Sequence, residues 1–146
     1  VWAYGGEQIK KGVPCKPGLK ELLSYLEDLG MPRIVASSSP RTMIELNLQT
    51  TGTARYFHDI VCGNEVKLCK PAPDIFLEAA RRIKVDIHDC MVLEDSHNGI
   101  RAGHASGAET VMEPDLLPVT DEMRSLYDDC CKDLFEVKAK MEQGVL

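Results

Sequence analysis

The sequence predicts an α/β fold, a three-layer sandwich in which a mainly parallel sheet carries helices on both faces. Helical and strand-like segments alternate four times along the chain. The strand-like segments are continuous apolar runs rather than alternating ones, as expected of parallel strands covered on both sides. A length of 146 residues suits one domain with a sizeable core.

The first helix reads from "KPGLKELLSYLEDLG", with Leu19, Leu22, Leu23, Leu26 and Leu29 at helical spacing, Pro17 and Gly18 at its start and Gly30 as its C-terminal stop. "RIVAS", residues 33–37, is the strand that follows. "SSPRTMIELNLQTTG" is the next helix, with Ser39 as N-cap and Pro40 at its first position. "DIVCG" (59–63) reads as a strand, and "PAPDIFLEAARRIKV" as a helix with Asp74 in its first turn. Ile75, Phe76, Ala79, Ala80 and Ile83 share one face of that helix. "CMVL" (90–93) is a further strand, followed by a small-residue helix from Asn98 to Ser106 and the strand "ETVM" (109–112). After the loop "EPDLLP", two helical stretches cover 121–127 and 132–143.

Composition narrows the function. The formal net charge is −6, the basic residues are scattered and the few aromatics form no stripe, which argues against nucleic acid as partner. No apolar run approaches the roughly 20 residues of a membrane span, and no signal-peptide pattern is present. The six cysteines, Cys15, Cys62, Cys69, Cys90, Cys130 and Cys131, form no C-x-x-C pair. They read as reduced thiols in a cytoplasmic protein, with the vicinal Cys130–Cys131 pair serving packing rather than redox chemistry.

In a parallel sheet, ligands bind beyond the carboxyl ends of the strands. Ser37 ends one predicted strand, and the adjacent acids Glu94 and Asp95 end another. Two neighbouring carboxylates repel unless a cation or solvent offsets them. "IVASSSP" supplies hydroxyls and backbone N–H groups at a strand end. "CKPAPDIF" holds Lys70 on an extended Lys-Pro backbone before a helix. "VLEDSHNG" offers hard oxygen ligands that suit Mg²⁺. Hydroxyl, ammonium and metal together describe a site for a phosphate group.

On these residues the chain resembles the haloacid dehalogenase (HAD) superfamily, in its phosphoglycolate phosphatase-like and β-phosphoglucomutase-like subgroup. The matching stretches are "RIVASSSP", "CKPAPDIFLEAARRI" and "MVLEDSHNGIRAGHASGAETVM", within a likeness that spans roughly residues 14–146. The resemblance implies a Rossmann-like, HAD-like core over 17–146, with 1–16 a remnant of a cap domain or linker. It implies that Ser37 binds the transferred phosphoryl group beside the Ser38 backbone, that Lys70 neutralises charge, and that Glu94 and Asp95 hold Mg²⁺. It assigns Gly99, Ala102, Gly103 and Ala105 a packing role, letting a helix approach the sheet. The substrate it implies is a small phosphorylated metabolite.

The chemistry of such proteins begins with an Asp-x-Asp motif at the end of a first strand, whose first Asp attacks phosphorus and whose second is general acid and base. This sequence contains no Asp-x-Asp. Another departure is Cys69, where relatives commonly have Gly before the Lys. The missing strand would lie between those carrying Ser37 and Asp95, so the sheet is expected to be incomplete and the two flanking strands to meet, or the segment to be unstable. The expected activity is a Mg²⁺-dependent phosphohydrolase acting through an aspartyl-phosphate, present here as a part lacking the nucleophile and inactive alone. A phosphomutase, and a non-catalytic relative that binds phosphate ligands or acts as an assembly partner, are alternatives. A receiver-type signalling domain fits less well, because its acidic pair should precede the hydroxyl strand. His97 reads as a surface residue.

Overall fold

A computed structural model describes residues 2–3, 17–114 and 118–146. In chain order the elements are β1 (Trp2–Ala3), α1 (Leu19–Asp28), β2 (Val35–Ser37), α2 (Arg41–Thr51), β3 (Ile60–Cys62), α3 (Asp74–Ile83), β4 (Met91–Glu94), α4 (His97–Ser106), β5 (Glu109–Met112), α5 (Asp121–Leu126), β6 (Asp129–Cys130) and α6 (Leu134–Glu142). Each of the four strands read from the sequence is present, and β1 and β6 add two more, β6 at the edge.

The six strands form one sheet in the order β3-β2-β1-β4-β5-β6, with every pairing parallel. Side chains alternate across it. Val35, Leu93 and Val111 join Leu19, Leu22, Leu23, Ile44, Leu48, Leu134 and Val137 in a core under α1, α2 and α6. Ile34, Ala36, Val61 and Val92 point the other way, onto Ile75, Phe76 and Ala79 of α3 and Ala102 of α4. Met112 packs with Ile100 and Met123 beneath α4 and α5. Helices therefore cover both faces, and the continuous apolar strands follow from that double burial.

The expectation that the flanking strands meet is not what the fold does. Trp2 and Ala3 stand between them, Trp2 in register with both Val35 of β2 and Leu93 of β4. A strand of only two residues suffices to separate them, because it offers backbone partners to both neighbours. The rest of the stretch assigned to a cap remnant, residues 1 and 4–16, lies outside the described residues.

A second correction concerns the start of α2. Ser39 is not its N-cap: that place is held by Pro40, with no side-chain cap. Ser39 is instead buried and turns its N–H back to Ser37 Oγ at 3.2 Å. The start of α4 also moves. It begins at His97, one residue before the expected Asn98, with Ser96 as N-cap.

From β1 the sheet grows one way through β2 and β3, and from β4 the other way through β5 and β6. The carboxyl ends of the strands beside that reversal are where open parallel sheets place their ligands. Ser37 and Glu94 end the two strands flanking β1.

Candidate active site

Val35 and Leu93 are level with each other through Trp2, so Ser37 and Asp95, each two residues further on, reach the same rim. Two strand spacings, about 10 Å, separate their backbones. Ser37 is fully enclosed at the end of β2, whereas Ser38 is exposed. The backbone of Ser38 runs past Gly63, just beyond β3, so closely that a Cβ on Gly63 would lie 3.3 Å from Ser38 Cα. Gly63 carries no chemistry and is not conspicuous in the sequence, yet it sets how the turn after Ser37 can lie.

Lys70 arrives from the loop before α3. That loop is tied to the helix start by the Leu68 N–H, which donates to Asp74 Oδ2 at 3.2 Å. The Lys70–Pro71 peptide bond is cis. Lys70 Nζ lies 5.1 Å from the centre of the Phe76 ring, within cation–π range. Its ammonium donates to Glu94 Oε2 at 2.9 Å, and the two side chains are 9% and 0% exposed. Residues 24 positions apart in sequence thus form an enclosed ion pair at the site.

The two adjacent acids are not equivalent. Glu94 is buried, and its Oε1 accepts the backbone N–H groups of Asp95 at 3.0 Å and Ser96 at 3.2 Å, together with the Ser96 hydroxyl at 3.2 Å. Burial opposes its ionisation. The Lys70 ammonium, the Asp95 side chain and the Ser96 backbone N–H outweigh that cost and hold the carboxyl below its ordinary value. Asp95 is half-buried at the strand end. A divalent cation of the Mg²⁺ kind takes one or two carboxylates and keeps several waters. Asp95 fits that demand at the rim. Glu94, beside it, engages Lys70 and three local donors with its oxygens. Among the described residues no group of three or more His, Cys, Asp or Glu side chains forms a metal cage.

The structure also brings forward roles that the sequence did not show. Ser96 both caps α4 and touches Glu94, a role signalled by a Ser directly before a helix. Gly99, expected to bring helix and sheet together, makes room for the Glu94 carboxylate itself. Glu113 follows β5 with its N–H on Glu94 O at 3.0 Å, and is 6% exposed. His97 is engaged elsewhere, its Nε2 being 2.8 Å from Pro118 O. The vicinal cysteines lie at the end of β6 and in the turn after it, level with Glu94 through Met112 but two strands further along the sheet. Burial raises both thiols, Cys131 to about 11, which suits packing rather than redox exchange.

Residues 3–107 match the family of haloacid dehalogenase-like hydrolases. The chain belongs to that family. This haloacid dehalogenase-like chain is 38% identical over 123 residues to the bifunctional riboflavin kinase/FMN phosphatase of Arabidopsis thaliana, a match covering 84% of it and 32% of that protein. It is 29% identical over 127 residues to hexitol phosphatase B of Escherichia coli K12, covering 87% of it and 57% of the relative. Among solved structures it is similar to CbbY from Rhodobacter sphaeroides in complex with phosphate, with a TM-score of 0.79, 25% identity, and coverage of 90% of this chain and 60% of that one. A HAD hydrolase from Entamoeba histolytica shares the fold at a TM-score of 0.81 and 24% identity, over 94% of this chain and 62% of its own. The haloacid dehalogenase-like chain thus spans about a third of the first relative and just over half of the second.

Proposed function

We propose that these residues form the phosphate-gripping part of a Mg²⁺-dependent phosphohydrolase that acts on a small phosphorylated metabolite through an aspartyl-phosphate. The observation that carries this reading is the enclosed Lys70–Glu94 pair, 2.9 Å long, at the carboxyl end of the strands flanking β1. An ammonium held in a low-dielectric setting is a strong anion ligand, since little water screens it. The phosphatase names of the relatives support the substrate class.

In this reading Ser37 donates its hydroxyl proton to a phosphoryl oxygen, and the backbone N–H of Ser38 adds a second donor. Lys70 supplies the positive charge. Glu94, assigned by the resemblance to the metal, instead holds Lys70 in place, and Asp95 would hold Mg²⁺. That ion, when bound, neutralises charge on the phosphoryl oxygens and orients them. Residues 17–146 make the core, and 1–16 come from a linker or cap and lend Trp2–Ala3 to the sheet. The free thiols at Cys62, Cys69, Cys90, Cys130 and Cys131 support a reducing compartment such as the cytoplasm.

The sequence holds no Asp-x-Asp, so the attacking carboxylate comes from outside these 146 residues, which bind phosphate without turning it over. The same observation favours a second reading, a non-catalytic relative that only binds phosphate-bearing ligands. Both are tested by assaying a panel of small phosphomonoesters with and without Mg²⁺, using the chain alone and the chain joined to whatever coding sequence lies in frame before Val1. Turnover by the joined protein only supports the enzyme. A start codon directly before Val1, with phosphate binding and no turnover, supports the binding protein. Turnover by the 146 residues alone would overturn the assignment of the nucleophile.

A further inference from the structure

The Ser96 hydroxyl serves two neighbours. As the N-cap of α4, its oxygen accepts the Gly99 N–H at 3.0 Å. Its proton goes to Glu94 Oε1 at 3.2 Å. A hydroxyl has one proton and two lone pairs, so both bonds form together. Capping alone does not require the proton: α6 is capped by the acceptor-only carboxylate of Asp133, which takes the Glu136 N–H at 2.8 Å. At α4 a carboxylate stands on the far side of the cap, and only a residue that both accepts and donates satisfies the two sides.

Gly99 completes the seat. A Cβ there would lie 2.1 Å from Glu94 Oε2, the oxygen gripped by Lys70. The first turn of α4 thus anchors Oε1 through Ser96 and leaves the volume for Oε2 open through Gly99. With one oxygen fixed by three donors, the other can point only where Lys70 meets it.

We propose that Ser96 is a positioning residue for Lys70, acting through Glu94, with Gly99 supplying the space in which that carboxylate is held. This rests on the phosphate-binding reading above and deepens it. A lysine stem is long and rich in rotamers, and ordering it when a ligand arrives weakens binding. An anion already locked in place by the cap of α4 does that ordering beforehand.

The test titrates inorganic phosphate, at fixed Mg²⁺, into the 146-residue chain and its Lys70→Ala, Ser96→Ala, Ser96→Thr and Ser96→Asp variants, with affinity read by calorimetry and helix content by circular dichroism. Ser96→Thr keeps both the acceptor and the proton and should bind as the parent does. Ser96→Asp keeps a good cap but has no proton to give and faces Glu94 with like charge. Losing a hydrogen bond to a charged group corresponds to about tenfold in affinity, expected for both Ser96→Ala and Ser96→Asp. Parent-like affinity in Ser96→Asp, alongside lost binding in Lys70→Ala, overturns the positioning role and leaves the phosphate site standing. Parent-like affinity in Lys70→Ala overturns the phosphate site itself. Should Ser96→Asp lose its helix signal, the Thr and Ala variants decide: equal weakening in both overturns the proposal.

Discussion

Gly99 stands so close to Glu94 that a Cβ built on it would lie 2.0 Å from the carboxyl carbon. The contact joins a helix to a strand end at the place where the buried Glu94 carboxylate must be seated. Gly99→Ala therefore has to push the carboxylate away from Lys70 or lift α4 off the sheet. Overpacking of a tight interior costs about 1–3 kcal/mol. Urea unfolding should show a loss of that size, accompanied by weaker phosphate binding. An unchanged midpoint and unchanged binding would mean that the carboxylate has another seat.

Lys70 and Glu94 should show opposite behaviour singly and together. Either Lys70→Ala or Glu94→Gln leaves one member of an enclosed pair uncompensated, at about 3–5 kcal/mol. The double variant removes both charges and should recover most of that stability, while phosphate binding stays lost. A double-mutant cycle by urea unfolding measures the coupling. Additive losses would show that the pair contributes nothing as a pair. Read from the sequence as a loop lysine, Lys70 looks dispensable for folding; its 9% exposed side chain makes it part of the fold as well.

Acid should weaken the fold through the same carboxylate. Glu94 ionises more readily in the folded chain than at its ordinary value of 4.5. Its stabilising contribution is full above that value and fades as pH falls through the lower folded one. Glu65, beside Arg41 and Arg82, is lowered in the same sense, whereas Glu109 is raised by burial and by Asp128 and Asp129 and acts against the acid loss. Urea midpoints should drop below pH 4.5, with a shallower fall in Glu94→Gln. Identical slopes in the two proteins would assign the acid limb to other groups.

Asp95→Asn should leave the Lys70–Glu94 pair in place and raise the Mg²⁺ concentration needed for half-maximal phosphate binding by about tenfold or more. A Mg²⁺ titration at constant phosphate checks this. A variant with the parent's Mg²⁺ requirement would remove Asp95 from the metal site.

Asn47, on the buried face of α2, is 7% exposed, and its Nδ2 has no hydrogen-bond partner among the described residues. An unsatisfied buried donor costs about 1–3 kcal/mol. Asn47→Leu, next to Ile44 and Leu48, should raise Tm by about 2–4 °C, measured by thermal melting. A lower Tm would mean that the amide is better accommodated than its surroundings indicate.

Much of the fold was legible because parallel strands buried on both faces carry continuous apolar runs, and "RIVAS", "DIVCG", "CMVL" and "ETVM" each contain one. The two-residue strands β1 and β6 were not, because so short a run has no periodicity and is defined only by its partners. Ser37, Lys70, Glu94 and Asp95 could be named from their order on that frame. Their division of labour could not.

The sequence alone determined the layered α/β architecture and the residue types gathered at one end of its sheet, since local periodicity and strand ends are written in consecutive residues. Tertiary structure decided that Trp2–Ala3 separate β2 from β4, and that Glu94 faces Lys70 while Asp95 stays at the rim. Both outcomes depend on groups brought together across the sheet. Which of two adjacent carboxylates meets an ammonium is set by that packing, and adjacent acids in a sequence look alike until it is known.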